Sequence, residues 1–102
     1  KTYSGDRTID GVIVLVNQAH LLPDTSGAIF SDTGFEWGYD GPGPRQLAYT
    51  ILIDHLGDTS RAKALVPRFV EGCVARLDNE WSISSADSEA VLNSPERTGQ
   101  RA

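Results

Sequence analysis

The stretch from Thr33 to Gln46, Thr-Gly-Phe-Glu-Trp-Gly-Tyr-Asp-Gly-Pro-Gly-Pro-Arg-Gln, constrains this chain more than any other. Phe35, Trp37 and Tyr39 alternate with Glu36 and Gly38. An extended backbone therefore places the three rings on one side and Glu36 on the other. Gly41-Pro42-Gly43-Pro44 follows, a run that admits few backbone geometries. Pro44 suits the first position of a helix, with Gly43 as its N-cap. The block sits between a strand-like first half and a helical second half.

In the first half, Gly5-Asp6 and Asp10-Gly11 are turn signals. Val12 to Val16 is apolar at every position, which predicts a central strand covered on both faces. Asn17-Gln18 predicts a reversal, and His20-Leu21-Leu22 a returning strand that Pro23 stops. Asp24 to Asp32 reads as loop.

In the second half the period becomes helical. Leu47 and Ile51 form one line and Ala48, Leu52 and Leu56 the next, up to a stop at Gly57. Asp58-Thr59-Ser60 can cap a second helix. Ala62, Leu65, Val66, Phe69, Val70, Cys73, Val74 and Leu77 carry it at i, i+3, i+4 spacing, with a kink or break expected at Pro67. Trp81 to Ile83 predicts a short edge strand. Ser84 or Ser85 then caps a short helix, with Asp87 and Glu89 in its first turn. The resulting expectation is an α+β fold: a small, mostly antiparallel sheet, two main helices packed on one face and a short C-terminal helix. Residues 1–92 form one globular domain and 93–102 a disordered tail.

Length and charge narrow the function classes. A chain of 102 residues is one domain with room for one core. A net charge of −5 argues against gripping nucleic-acid phosphates, and the acids are scattered rather than grouped. The single cysteine rules out an internal disulfide and suits a reducing, cytoplasmic setting. The longest apolar run is strand length, too short for a membrane span, and no secretory leader pattern is present. The start at Lys1 without methionine is read as a trimmed start.

No residues assemble on paper into a catalytic set. His20, His55 and Cys73 lack metal-ligand spacing, so neither metal nor cofactor is expected. Cys73 lies on the apolar stripe of a helix, as a small core residue does. Asp54 and His55 are neighbours whose side chains diverge by about 100° on a helix. Asp54 and Asp58, four apart, can share a face at a helix end, where acids oppose the dipole and call for a partner elsewhere. Gly41 to Pro44 outlines a phosphate cradle, but its prolines remove two N–H donors. The aromatic block has two readings. It is a small core under the first helix, or an exposed hot spot for a protein partner.

The residues Tyr3-x-Gly5-x-Arg7, the Val12–Val16 run, Thr33-Gly-Phe-Glu-Trp-Gly-Tyr-x-Gly-x-Gly-Pro followed by Gln46-Leu47-Ala48, Asp54, Arg76-Leu77 and Trp81 together resemble a family of small bacterial and phage proteins carrying a domain of unknown function. That resemblance spans most of residues 3 to 90. It implies no transferable activity, but it does imply phage or mobile-element cargo, where small acidic proteins block a host enzyme or defence complex, as an anti-CRISPR does. The leading expectation is a protein-interaction module binding through Phe35, Glu36, Trp37, Tyr39, Arg45 and Gln46, with Arg7 as ion partner of Glu36 or Asp54. Trp37→Ala would then abolish partner capture and leave melting unchanged. The alternative is a small-ligand or nucleotide-binding domain with its pocket at the aromatic loop and the N-terminus of the first helix. Catalysis by Asp54, His55 or Glu36, a homodimer seam and an acidic nucleic-acid mimic stay open at this point.

Overall fold

A computed structural model describes residues 1–25, 27–31 and 34–93. The disordered tail expected from residue 93 falls, after Asn93, outside the described residues. Strand β1 (Thr2–Thr8) pairs antiparallel with β2 (Gly11–Val16) through the register Tyr3–Val16, Gly5–Val14 and Arg7–Val12. A two-residue strand β3 (Ala19–His20) returns beside β2, shorter than the sequence suggests. Asn17 and Gln18 both take left-handed backbone angles, φ 49° and 72°. A two-residue hairpin needs that handedness to match strand twist.

Helix α1 runs Pro42–Leu56 and α2 runs Thr59–Gly72. One 3₁₀ turn (Val74–Arg76) leads to strand β4 (Glu80–Ser84), and α3 (Ser85–Asn93) ends the described chain. The sheet order is β3-β2-β1-β4, antiparallel throughout, so β4 is the expected edge strand. The fold is α+β, with its helices on one face of the sheet.

That one-sidedness corrects the reading of β2. Tyr3, Val14, Trp81 and Ile83 point toward the helices and join a single core with Leu47, Ile51, Leu52, Val66, Phe69 and Val70. Ile13, from the other side of β2, is 40% exposed. A continuous apolar run is the mark of a doubly covered strand, but here no element packs on the second side among the described residues. On the covered side Trp81 lies across Gly5. A Cβ built on Gly5 would approach the indole Cε2 to 2.4 Å. Only glycine lets the ring lie that close to the strand.

The helix boundaries also differ. Gly41 caps α1 and Pro42 starts it, two residues before the expected Pro44. Pro44 continues the first turn, where a missing N–H costs nothing. Gly57 closes α1 in the left-handed conformation, with its N–H donated to the Ile53 carbonyl. Pro67 does not break α2. It sits on the exposed side, so the Lys63 carbonyl it leaves without a donor is open to water. The helix stops instead at Gly72, before the expected Leu77. Cys73 leaves helical angles at φ −140°, and the 3₁₀ turn carries Val74 into the core.

Helix α1 is buried on nearly every side, from Gly43 to Leu52. Sheet, α2 and the long loop between β3 and α1 all cover it. Phe30 packs on Tyr49 with ring centroids 5.3 Å apart, and the Asp24 N–H donates to Thr50 Oγ1 at 3.0 Å. A segment that reads as polar loop is thus one wall of the core.

Candidate functional site

The aromatic block divides between core and surface. Phe35 and Trp37 are buried, Trp37 at 1% exposure, and Trp37 meets Trp81 edge to face at 5.5 Å. Gly38 takes φ 89°, and its N–H donates to the Val74 carbonyl at 3.0 Å. That left-handed step ends the alternation, and Tyr39 emerges 51% exposed. The expected single aromatic face therefore does not form. Phe35 and Trp37 offer no surface to a partner, because a neighbouring sheet and helix already cover them.

Glu36 faces outward and meets Arg7. The Arg7 guanidinium donates to Glu36 Oε1 at 2.6 Å, to the Trp37 carbonyl at 3.1 Å and to Asn79 Oδ1 at 2.6 Å. It also stacks 4.9 Å above the Trp37 ring. One planar side chain thereby ties β1 to the aromatic loop and to the segment before β4. Of the two ion partners expected for Arg7, the structure brings it to Glu36.

Arg45 and Gln46 have separate roles. Arg45 grips Asp40 through Nε at 2.9 Å and Nη2 at 3.1 Å. Those hydrogen bonds hold the Asp40 carboxyl below its ordinary range and raise the guanidinium. Gln46 is fully buried. Its Nε2 donates to the Asp24 carbonyl at 2.7 Å, and its Oε1 accepts from the N–H groups of Phe30 and Ser31 at 3.0 and 3.2 Å. At the N-terminus of α1 the ligand pocket expected here is a shallow groove of about 360 Å³, lined by Phe30, Asp40, Gly41, Pro42 and Arg45. Its one cation already faces Asp40, and the Gln46 amide is turned into the loop.

The acid–base candidates do not converge. Asp54 accepts from Lys1 Nζ at 3.0 Å and from the Tyr3 hydroxyl at 2.8 Å. His55 Nε2 contacts Glu89 of α3. Asp58 turns the other way and caps α2, accepting from the Arg61 N–H at 3.1 Å. The mismatch of an acid at the end of α1 thus resolves as the N-cap of the next helix. Burial first, and the Asp87 charge second, push the Cys73 thiol up to about 11. His20 is exposed on β3. Among the described residues no three His, Cys, Asp or Glu side chains group as metal ligands.

Burial raises the Asp54 carboxyl, but hydrogen bonds from Lys1 and Tyr3 outweigh it, and the net shift is downward. A carboxyl depressed in the folded state stabilises above its unfolded pKa and loses that contribution as pH falls through the folded value. Asp54→Asn should therefore cost about 1–2 kcal/mol at pH 7. The gap to the parent should close below about pH 4. Urea midpoints at the two pH values measure it, and a gap that stays constant would mean that charge is irrelevant there.

The remaining feature is the bare side of the sheet, which the sequence reading missed. Ile13 and the half-buried Leu15 stand next to each other on β2. Ser4 and Asp6 of β1 and Ser82 and Glu80 of β4 flank them around a shallow hollow of about 510 Å³. The signal was present in the alternation of β1 and β4, whose outward residues are all polar. It was masked by the unbroken apolar run of β2.

Among the described residues no helix is long and apolar enough to cross a membrane. No curated protein and no solved structure matches the chain significantly. A family model does match, over residues 3–94 and so over most of the sequence, and the chain belongs to that Family of unknown function (DUF6166).

Proposed function

We propose that the protein is a protein-interaction module that docks a partner on the bare side of its sheet. The observation that carries this is the exposure of Ile13 beside Leu15 on an otherwise regular face, with the helices of the described residues on the opposite side. Apolar side chains paired on a flat sheet face gain by being covered, and a broad, shallow face suits a protein better than a small ligand. Tyr39, at the far end of the aromatic loop, remains available as a rim contact. A partner of different sequence fits better than a second copy. A two-fold dimer sets the same patch against itself and would add the acids of one face to those of the other. The lone buried Cys73 suits a cytoplasmic setting. The resemblance of the motif at residues 33–44 to phage and mobile-element cargo is the reason to try a host defence complex, the target of an anti-CRISPR, as the first partner.

Photo-crosslinking tests the reading. p-Benzoylphenylalanine replaces Ser82 on the bare face in one sample and Lys63 on the exposed side of α2 in another. A heterologous protein crosslinked from position 82 but not from 63 is the expected outcome. Crosslinks confined to 63, or a crosslinked dimer of the chain itself from 82, would overturn it.

A further inference from the structure

Two acids face each other on the bare side of the sheet. The β1–β4 register sets Asp6 directly opposite Glu80. Gly5 and Trp81, their neighbours, point into the core, so both carboxylates point outward, and both residues are exposed. Residues opposite one another on antiparallel strands have Cβ atoms about 4.5–5.5 Å apart, and like charges there weaken the pairing. Among the described residues neither carboxylate forms an ion pair. The cation nearest in sequence, Arg7, projects from the other side of β1 and is held by Glu36, Asn79 and the Trp37 carbonyl.

We infer that the partner on this face is a protein surface presenting an arginine between Asp6 and Glu80, its aliphatic stem lying over Ile13 and Leu15. This rests on the reading of the face as an interface and adds the chemistry of the occupant. Charge complementarity selects the cation, since a positive group between the two carboxylates turns a repulsive pair into two attractive contacts. Geometry selects arginine over lysine. A planar fork of donors can reach two carboxylates at once, whereas an ammonium is a compact point charge. The arginine stem is apolar and covers hydrophobic surface while its head stays polar. The same two acids argue against mimicry of a nucleic acid, which would need a run of negative charge along the face where the sheet offers Ile13, Leu15, Ser4 and Ser82.

The test uses the full chain, labelled with nitrogen-15, and two peptides: acetyl-Leu-Arg-Val-Arg-Leu-amide and its twin with glutamine at both arginine positions. With the arginine peptide, amide shifts should centre on Asp6, Ile13, Leu15 and Glu80, and should fade as salt rises from about 0.05 M to about 0.5 M. Asp6→Asn and Glu80→Gln should each weaken that binding roughly two- to fivefold. Each should also raise the melting temperature by about 1–4 °C, because the repulsion is relieved. That rise separates a tense functional pair from a structural one, whose loss lowers melting. Equal binding of the glutamine twin, or full binding by the Asp6→Asn, Glu80→Gln double variant, would overturn the arginine assignment while the docking face stands. Shifts from the arginine peptide that fall elsewhere on the chain would overturn it too. The crosslink from position 82 decides the docking face independently of all three.

Discussion

Trp37→Ala is expected to cost about 3–5 kcal/mol of folding stability, enough to leave a domain of this size barely folded. In melting temperature that is a fall of about 15 °C or more. The ring is 1% exposed, lies edge to face with Trp81 and forms the floor beneath Arg7. Removing it opens a cavity at the centre of the contact between sheet and loop, and rigid strand and helix on either side limit how far the cavity can collapse. Arg7 also loses the face it stacks on. Trp37→Phe is the control. It keeps a ring and deletes an indole N–H that has no hydrogen-bond partner among the described residues. Most of the stability should survive that change. Thermal melts followed by far-ultraviolet circular dichroism read both variants. A change under about 3 °C for Trp37→Ala would place the ring outside the core and would restore the expectation from sequence that it is a surface anchor.

Gln46→Leu is expected to be the second most damaging change, at about 2–4 kcal/mol. Leucine is apolar and of comparable volume to glutamine, so most of the packing is kept. What is lost is the partner of three backbone groups: the carbonyl of Asp24 and the N–H groups of Phe30 and Ser31. These lie where the loop meets a buried helix face, and an orphaned polar group there keeps its full desolvation cost. The effect should also be local. Amide exchange of Phe30 and Ser31 should accelerate well beyond that of Leu47 and Ile51 in α1. Unchanged exchange in the loop would mean that Phe30 against Tyr49, not Gln46, holds it down.

Both residues belonged to the binding set expected from sequence, and both prove to be interior for reasons a sequence does not display. An aromatic that alternates with polar residues looks the same whether its side of the strand is covered or bare. Trp37 is covered because β1 and β4 bring Gly5 and Trp81 to it from distant parts of the chain. Gln46 follows two prolines at a helix start, a place that is usually wet. It is buried because the loop folds back across it. Arg7 and Glu36 are the counter-example: opposite charges narrowed the ion partner of Arg7 to Glu36 or Asp54, and the geometry brings it to Glu36.

The local elements were legible in short stretches of the sequence. Periods of two and 3.6, the turn at Asn17-Gln18, the stop at Gly57 and the caps at Asp58 and Ser84 all act within a few residues, through backbone angles and nearby hydrogen bonds. The antiparallel α+β class follows from their order. The assembled fold sets which faces are covered. It buried Trp37 and Gln46, sent Asp54, His55 and Asp58 to three different partners, and left Ile13 and Leu15 uncovered on the same side of the sheet as Asp6 and Glu80. Burial depends on contacts between residues far apart in the chain, and strand register, which sets Asp6 opposite Glu80, exists only once two such segments have met.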